Sequence, residues 1–484
     1  MSPEDPGAHS RGVGGLREGR PSYEAAVPAD RVEPTGPLPM VLGLVTGLAN
    51  IGTSGVAVAL PSLAGDFGVS TATATWVVSG YAVALAVATP VHGRLADAMG
   101  IRAPLCLGLV LLAVGALVSA AAPDFAVMMV ARVIQGTGAA ATLVLGSALL
   151  SARVPADRRG AALGWLAGMA AVLSALGPLL GGALTLGGGW QAAVALPALV
   201  GPAVPYLWRR ARVSGDGGRL DIIGAAAVVM TVCGLVLLVQ SASAGIATAM
   251  TGCGLLAIGV PAAVARVRAR PHGFLPLSVV TNLRVIGNAL CASTIPASWF
   301  SLLVGIPLTL TRHGWTPLTI GLLLAPSALA ALSTPLVASK LLRRLGPRAT
   351  LLVATMMTAA GLLVAAVGVA CDWVWPLSVA PVLVTLAFGT GQPAMVTAVG
   401  GAVPSERRSG AIGVATLCFL VGASVGTAVI GGVGTVLGLA PAWLLLTMLP
   451  TVAAVALLLR RDHGPRRACS ASVSSTGEDT TLAG

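Results

Sequence analysis

Charged residues are scarce in this sequence and make up 10% of its 484 positions. Soluble globular proteins carry about 25% charged residues, because their surfaces must be hydrated. So little charge excludes an ordinary water-soluble protein. Hydrophobic residues make up 56% of the chain and lie in long runs, which indicates an all-α protein that crosses a membrane many times.

Lysine, histidine and paired cysteine are also nearly absent. Lys340 is the one lysine among 29 basic residues, and the seven cysteines stand singly without a C-x-x-C pair. This pattern predicts neither a disulfide framework nor a metal site. The five histidines are scattered and no acidic pair lies within an apolar run, so we expect no enzyme, no catalytic residue and no cofactor. Charged rings or carbonyl filters typical of channels are not visible either.

Apolar runs long enough to cross a bilayer recur from end to end. One crossing needs roughly 20 apolar residues, and we predict about fourteen transmembrane helices. The predicted spans are Leu38–Leu60, Trp76–Val91, Pro104–Ala121, Phe125–Leu150, Ala161–Leu186, Ala192–Trp208, Ile222–Val239, Ala247–Val264, Val285–Leu310, Leu318–Leu336, Ala349–Ala370, Pro376–Val399, Ala411–Val436 and Ala440–Leu459.

Positive charge follows every second predicted span, with Arg312 as the exception. The clusters are Arg94 and Arg102; Arg153, Arg158 and Arg159; Arg209, Arg210, Arg212 and Arg219; Arg266, Arg268 and Arg270; Lys340, Arg343, Arg344 and Arg348; Arg407 and Arg408; and Arg460 and Arg461. Cytoplasmic loops carry the excess of basic residues. We therefore predict an even number of spans with both termini in the cytoplasm of a cell, plasma or inner membrane. The net charge of +12 is explained by this orientation and does not indicate nucleic-acid binding.

Segments rich in Pro, Gly and charge precede the first span and follow the last. They predict disordered cytoplasmic tails at residues 1–37 and 461–484. No loop is long enough for a soluble domain, so we expect any function to lie within or beside the bilayer.

One motif follows the second span. Residues Gly93–Arg102 read GRLADAMGIR. Gly93 and Gly100 permit a tight connection between two helices, while Asp97 and Arg102 can pair or cap a helix end. A related stretch, Ser339–Arg348, occurs in the second half with Arg343 in place of the carboxylate.

Two further motifs lie inside spans. Residues Arg132–Gly138 in the fourth span read RVIQGTG, and residues Gly177–Gly182 in the fifth read GPLLGG. In this order and on these spans, the three motifs resemble the signature motifs of the major facilitator superfamily. The GPLLGG segment, with Gly177, Pro178, Gly181 and Gly182, is similar to the motif associated with antiporters. Asp221–Gly224 opens an extra helix pair, so the chain looks like the fourteen-helix drug:proton antiporter branch.

The resemblance implies two six-helix bundles at 38–208 and 283–460, with an inserted helix pair within 209–282. It also implies a secondary transporter that exports drug-like or antibiotic molecules by alternating access, driven by protons. Facilitated diffusion or import of a small neutral or anionic metabolite remains the alternative. The expected partners are a small-molecule substrate, protons and the lipid bilayer, and we expect a monomer.

Several polar residues within the spans are candidates for lining a transport cavity. Arg132 lies roughly 10 Å below one membrane surface, where a charge is costly unless it is paired or wetted. The alternative is a structural arginine bound to carbonyl groups. The remaining candidates, each with an interhelical contact as the alternative, are Asn50, Gln135, Gln240 and Gln392.

An acidic residue that many members of this branch have in helix one is missing, since Gly52 stands at that position. No acidic residue lies deep in any predicted span, so Arg132 has no evident ionic partner. We therefore expect an anionic or neutral substrate. Asp97 and His92 are the candidate proton sites, although a structural cap and a polar residue at a helix end are the alternatives.

Overall fold

The computed structural model describes residues 37–459, apart from residues 216, 218–220, 271–272 and 405–406. Within these residues the chain forms helices joined by short turns, without a β-strand. The predicted tails lie outside the described residues, except for Pro37, and so does Arg219 of the third basic cluster.

Fifteen α-helices make up the described part of the chain. They are α1 Leu38–Asp66, α2 Thr71–Ala74, α3 Trp76–Met99, α4 Arg102–Ala120, α5 Phe125–Arg153, α6 Ala156–Ala195, α7 Ala203–Arg210, α8 Ile222–Ala244, α9 Ile246–Ala269, α10 Leu277–Val280, α11 Leu283–Arg312, α12 Pro317–Ala370, α13 Trp375–Gly400, α14 Arg408–Val429 and α15 Leu439–Leu459. A 3₁₀ segment, Leu196–Val200, precedes α7, and a π-helical segment, Ile430–Gly434, follows α14.

By length and composition, twelve helical segments could cross a membrane. Two are too long for one crossing, since Ala162–Arg210 has 49 residues and Pro317–Ala370 has 54. The first is interrupted at Gly188 and Gly189, and the second at Gly346, where φ is +79°. Glycine reaches this left-handed backbone region without steric cost. When each long segment is counted as two crossings, the number of crossings rises from twelve to fourteen, which agrees with the number predicted from the sequence.

Some predicted boundaries are wrong. The first span does not end at Leu60, because α1 continues through Pro61 to Asp66. Its last turn is held by Trp190, whose Nε1–H donates to Asp66 Oδ2 at 2.6 Å. The predicted sixth span, Ala192–Trp208, is not one continuous helix, since α6 ends at Ala195 and is followed by the 3₁₀ segment and then by α7. Pro197 and Pro202 lie at these two starts and cannot donate the backbone hydrogen bonds of a continuous helix.

The two halves of the chain pack differently at the two ends of the molecule. We call the end with the arginine-rich loops the basic end, and the other the opposite end. At the opposite end, a single apolar cluster joins both halves and includes the fully buried Leu60, Leu63, Ile306 and Trp443. Toward the basic end, one cluster holds residues of the first half only, while another holds the second half with Ala86. The halves are therefore sealed together at the opposite end.

The inserted pair consists of α8 and α9, which pack on each other. Asp221 caps α8, since its Oδ1 accepts from the Gly224 N–H at 3.2 Å, as the sequence indicated for the start of this helix. Val228 and Val232 of α8 share an apolar cluster with Val87 of α3 and Leu417 of α14. The pair is thus attached where the two halves meet.

Candidate functional site

Arg132 of α5 is fully buried and binds three acceptors. Its Nε–H donates to the Val77 carbonyl at 2.9 Å, and its Nη2–H donates to the Gly52 carbonyl at 2.8 Å. Its Nη1–H donates to Gln135 Oε1 at 2.5 Å. The three acceptors belong to α3, α1 and α5, so one guanidinium ties three helices together inside the first half.

An aromatic ring completes this arrangement. The guanidinium carbon of Arg132 lies 4.4 Å from the centroid of the Tyr81 ring, within the range of a cation–π contact. The Tyr81 hydroxyl donates to the Ala49 carbonyl at 2.8 Å. We call Arg132, Gln135, Tyr81 and Gly52 the arginine cluster.

The structure brings Arg132 and Gln135 together, but it does not place them on an open cavity in this conformation. Both side chains are fully buried. The carbonyl-bound arginine, given above as an alternative, is therefore the arrangement found here. Asn50 and Gln392 are half-buried on α1 and α13, and the hydrogen bonds of Arg132 go to neither of them.

Gln240 makes an interhelical contact. It is fully buried, and its Nε2–H donates to Thr75 Oγ1 at 3.0 Å, which links the inserted pair to the start of α3. Nearby, the Ser79 hydroxyl donates to Thr427 Oγ1 at 2.8 Å and joins α3 to α14. These bonds connect the first half, the inserted pair and the second half.

The glycines of the GPLLGG motif permit close helix contacts. A side chain at Gly181 would overlap the backbone of Gly55 in α1, and one at Gly182 would overlap the Pro317 carbonyl of α12. Across the same seam, a side chain at Gly321 would lie 2.6 Å from the Pro178 carbonyl. The motif therefore sets the approach of α6 to both halves near the opposite end. A side chain at Gly177 would likewise overlap the side chain of Ser54 in α1.

Further along α6, toward the basic end, the surroundings of the glycines change. A Cβ at Gly164 or Gly168 would meet nothing within 4 Å. These two glycines therefore mark no close approach, although α6 meets α1 in this part too, where a Cβ at Gly43 would lie 2.6 Å from Met169 Cβ.

The loop motif lies at the basic end. The Arg94 Nη2–H donates to the Gly273 carbonyl at 3.0 Å, and the Arg102 guanidinium lies 3.8 Å from the centroid of the Trp208 ring. Gly100 has φ +85°, and a side chain there would overlap the Val213 carbonyl. By contrast, a Cβ at Gly93 would lie at an ordinary van der Waals distance of 3.9 Å from Val144 Cγ1.

The two candidate proton sites occupy different surroundings. Asp97 lies in the last turn of α3. His92 lies two turns before the end of that helix, so its description as a residue at a helix end is wrong. Its side chain is buried, and its Nδ1 lies 3.0 Å from the Ala88 carbonyl oxygen.

An ion pair at the basic end has no counterpart in the sequence analysis. Arg266 Nη2 lies 2.7 Å from Asp221 Oδ1, and the Phe274 N–H donates to Asp221 Oδ2 at 3.2 Å. Burial opposes ionisation of Asp221, but hydrogen bonds from Arg266, Phe274 and Gly224 hold the pKa of this carboxyl below its ordinary value. The two partners are far apart in sequence, so no local pattern indicates that they meet.

The sequence of this chain matches the family model of the Major Facilitator Superfamily over residues 42–265 and 289–478. It is 30% identical to the multidrug resistance protein Stp of Mycobacterium tuberculosis over 82% of this chain and 74% of that protein. It is 31% identical to the puromycin resistance protein pur8 of Streptomyces alboniger over 85% of each chain. The multidrug efflux pump LfrA of Mycolicibacterium smegmatis is 28% identical over 82% of this chain and 80% of its own.

Solved structures share the fold. A crystal structure of a POT family transporter in complex with a thioalcohol conjugated peptide superposes with a TM-score of 0.66, covering 87% of this chain and 95% of the other. The sequence identity is 14%, so this likeness concerns the fold alone.

Proposed function

This chain belongs to the Major Facilitator Superfamily, and we propose that it exports drug-like small molecules, antibiotics among them, across the cell membrane by alternating access. The observation that carries the proposal is the sequence similarity to two resistance proteins, Stp and pur8. The similarity covers 82% of this chain for Stp and 85% for pur8. The chain is a multi-pass membrane protein, in keeping with the twelve helical segments of its described part that are long and apolar enough to cross a membrane.

Charge supports an orientation for the exporter. The arginine-rich loops all lie at one end, and loops rich in arginine and lysine remain in the cytoplasm. The basic end and both termini then face the cytoplasm, while the opposite end faces outward. In this conformation the exporter is sealed toward the outside by the apolar cluster that joins the two halves.

The seam between α6 and α12 is where we expect the outward side to open and close. Gly182 and Gly321 allow the backbones of the two helices to touch near the opposite end. Gly164 and Gly168, nearer the basic end of α6, meet no such contact. A close contact between two helices of different halves, near the outward side, is suited to rocking of the halves about a central substrate.

The proposal also includes coupling of export to protons. The protein is proposed to act as a monomer. Asp97 and His92 remain its candidate proton sites because both lie on α3 near the cytoplasmic loop motif. The cavity candidates Asn50 and Gln392 lie on helices of different halves, which favours a substrate held between them.

The test is transport into inside-out membrane vesicles that contain the protein. Puromycin and a set of neutral, cationic and anionic amphipathic dyes would be offered with a proton gradient, which a protonophore then collapses. Accumulation that depends on the gradient is expected. Gly182→Ala should reduce it, because the new methyl group overlaps Pro317, whereas the matched control Gly164→Ala should not. Failure of every compound to accumulate would contradict export.

Facilitated diffusion is the second candidate, and one observation favours it. Among the described residues, every acidic side chain lies within the first or last turn of a helix or outside the helices. A carboxylate within the bilayer, where a proton gradient would commonly act, is therefore not among them. Equilibration of substrate that the protonophore leaves unchanged would select this candidate.

A further inference from the structure

The arginine cluster has more hydrogen-bond donors than acceptors. A guanidinium has five N–H bonds, and three of those of Arg132 are used by Val77, Gly52 and Gln135. The Nε2 of Gln135 is buried and has no hydrogen-bond partner. The one buried side-chain atom of the cluster without any partner is thus a donor, and it lies beside a positive charge.

At Gly52, α1 contributes no side chain to the cluster. A Cβ built there would lie 3.1 Å from Pro197 Cγ, 3.5 Å from Gln135 Nε2 and 3.6 Å from the Tyr81 hydroxyl oxygen. The unpartnered amide therefore faces a residue of α1 that has no side chain to accept its hydrogen bond.

We propose that the arginine cluster binds a carboxylate group of the transported compound and that the Gln135 carboxamide holds this position while the site is empty. The proposal rests on the transport function given above and names its substrate class as anionic. A carboxylate has two oxygens that only accept hydrogen bonds, which matches a site with a positive charge and an unpartnered donor, Gln135 Nε2. A cationic group would be repelled by Arg132, and a neutral amide would bring donors that find no acceptor.

Binding proceeds by exchange of one acceptor for another. The incoming carboxylate displaces Gln135 Oε1 from the Arg132 Nη1–H, and the freed carboxamide donates its Nε2–H to the carboxylate. Hydrogen bonds that involve two charged groups are stronger than those to a neutral amide, which offsets the loss of hydration of the carboxylate. Because Arg132 and Gln135 are fully buried here, α1 and α5 must separate at Gly52 to admit the ligand.

The test uses the full-length protein in nanodiscs with three probes, 2-naphthoate, 2-naphthamide and 2-naphthamidine. They share one ring system and carry negative, zero and positive charge. We expect 2-naphthoate to bind about tenfold more tightly than 2-naphthamide, as a charged hydrogen-bonded pair predicts, and 2-naphthamidine to bind most weakly. Equal binding of 2-naphthoate and 2-naphthamide by the unaltered protein would overturn the proposal, whether or not any variant folds.

Three variants sharpen the test. Gly52→Asp places a carboxylate of the protein beside Arg132 and should abolish the preference for 2-naphthoate. Gly52→Asn has nearly the same shape and no charge, so it should weaken binding but keep the order of the probes. Arg284→Gln removes an exposed arginine elsewhere and should change nothing. Identical behaviour of the two Gly52 variants, or loss of the preference in Arg284→Gln, would count against the site.

The same probes in the vesicle assay separate this proposal from the transport function. Export of 2-naphthamide with neither binding nor export of 2-naphthoate would leave the exporter intact and reject the anion site. Selective binding of 2-naphthoate, with no compound exported, would reject the transport function while the site stands.

Discussion

Arg132 and Arg266 are two arginines of the same protein that are stabilised in different ways. Arg266 lies at the basic end with its side chain 20% exposed, and it pairs with a carboxylate. Arg132 is fully buried in the first half and binds two backbone carbonyls and an amide. The carboxylate of Asp221 is only 7% exposed, and hydrogen bonds from the Gly224 and Phe274 N–H groups compensate for the hydration that it loses. Deep in the bilayer, neutral acceptors of packed helices avoid burying a second charge.

Replacement of Arg132 should have the largest effect on stability. Arg132→Lys keeps the charge, but one ammonium group cannot reach three acceptors on three helices in the geometry of the planar guanidinium. We expect the free energy of unfolding to fall by about 3 kcal/mol, measured by denaturation in mixed micelles. The control is Arg284→Lys at an exposed position. Equal stability of the two variants would mean that the hydrogen bonds of Arg132 contribute little.

Asp221→Asn should have the next largest effect. The substitution leaves Arg266 without its carboxylate partner at a site where Asp221 is only 7% exposed. We therefore expect the free energy of unfolding to fall by about 2 kcal/mol. Asp372→Asn, whose carboxylate is 84% exposed, serves as the control.

This loss should depend on pH in a defined direction. Because the folded-state pKa of Asp221 lies below its ordinary value of 3.8, its contribution is present above that value. It disappears as the pH falls through the lower folded-state pKa. The difference in unfolding midpoint between the unaltered protein and Asp221→Asn should therefore be constant from about pH 7 to pH 5 and shrink below 3.8. A difference that grows on acidification would contradict this assignment.

Arg94→Gln tests a weaker link at the basic end. The half-buried arginine loses its hydrogen bond to the Gly273 carbonyl, and we expect a cost of about 1 kcal/mol. Arg343→Gln, in the corresponding loop of the second half, removes the same charge from an exposed position. The measurement is the same denaturation in mixed micelles. A larger fall in the free energy of unfolding for Arg343→Gln than for Arg94→Gln would contradict a stabilising role for the Arg94 hydrogen bond.

Ser79→Ala should have the smallest effect. It removes a neutral hydrogen bond to Thr427 between the two halves, and such bonds inside membrane proteins contribute about 0.6 kcal/mol. The control is Ser241→Ala, whose exposed hydroxyl donates to Leu238 within its own helix. A fall in the free energy of unfolding close to that of Arg132→Lys would show that this neutral hydrogen bond stabilises the protein as much as the arginine cluster does.

Local sequence determined the secondary structure and the number of spans of this protein. Apolar runs of membrane length admit helices and little else, because a backbone in hydrocarbon must satisfy its own hydrogen bonds. Asp221 could likewise be read as a helix start, since its side chain caps the N–H of a residue three positions on. Glycine and proline were less informative. Pro61 lies within α1, whereas Gly346 interrupts the long helix α12.

Only the tertiary structure decided what the buried polar residues do. The sequence marked Arg132 and Gln135 as candidates, but the Val77 and Gly52 carbonyls that bind Arg132 belong to other helices. Backbone carbonyls have no sequence signature, because every residue carries one. The pairing of Asp221 with Arg266 depends likewise on how α8 and α9 pack. Hydropathy and helix ends are local properties of the chain, whereas an acceptor for a buried charge is supplied by whichever helices lie beside it.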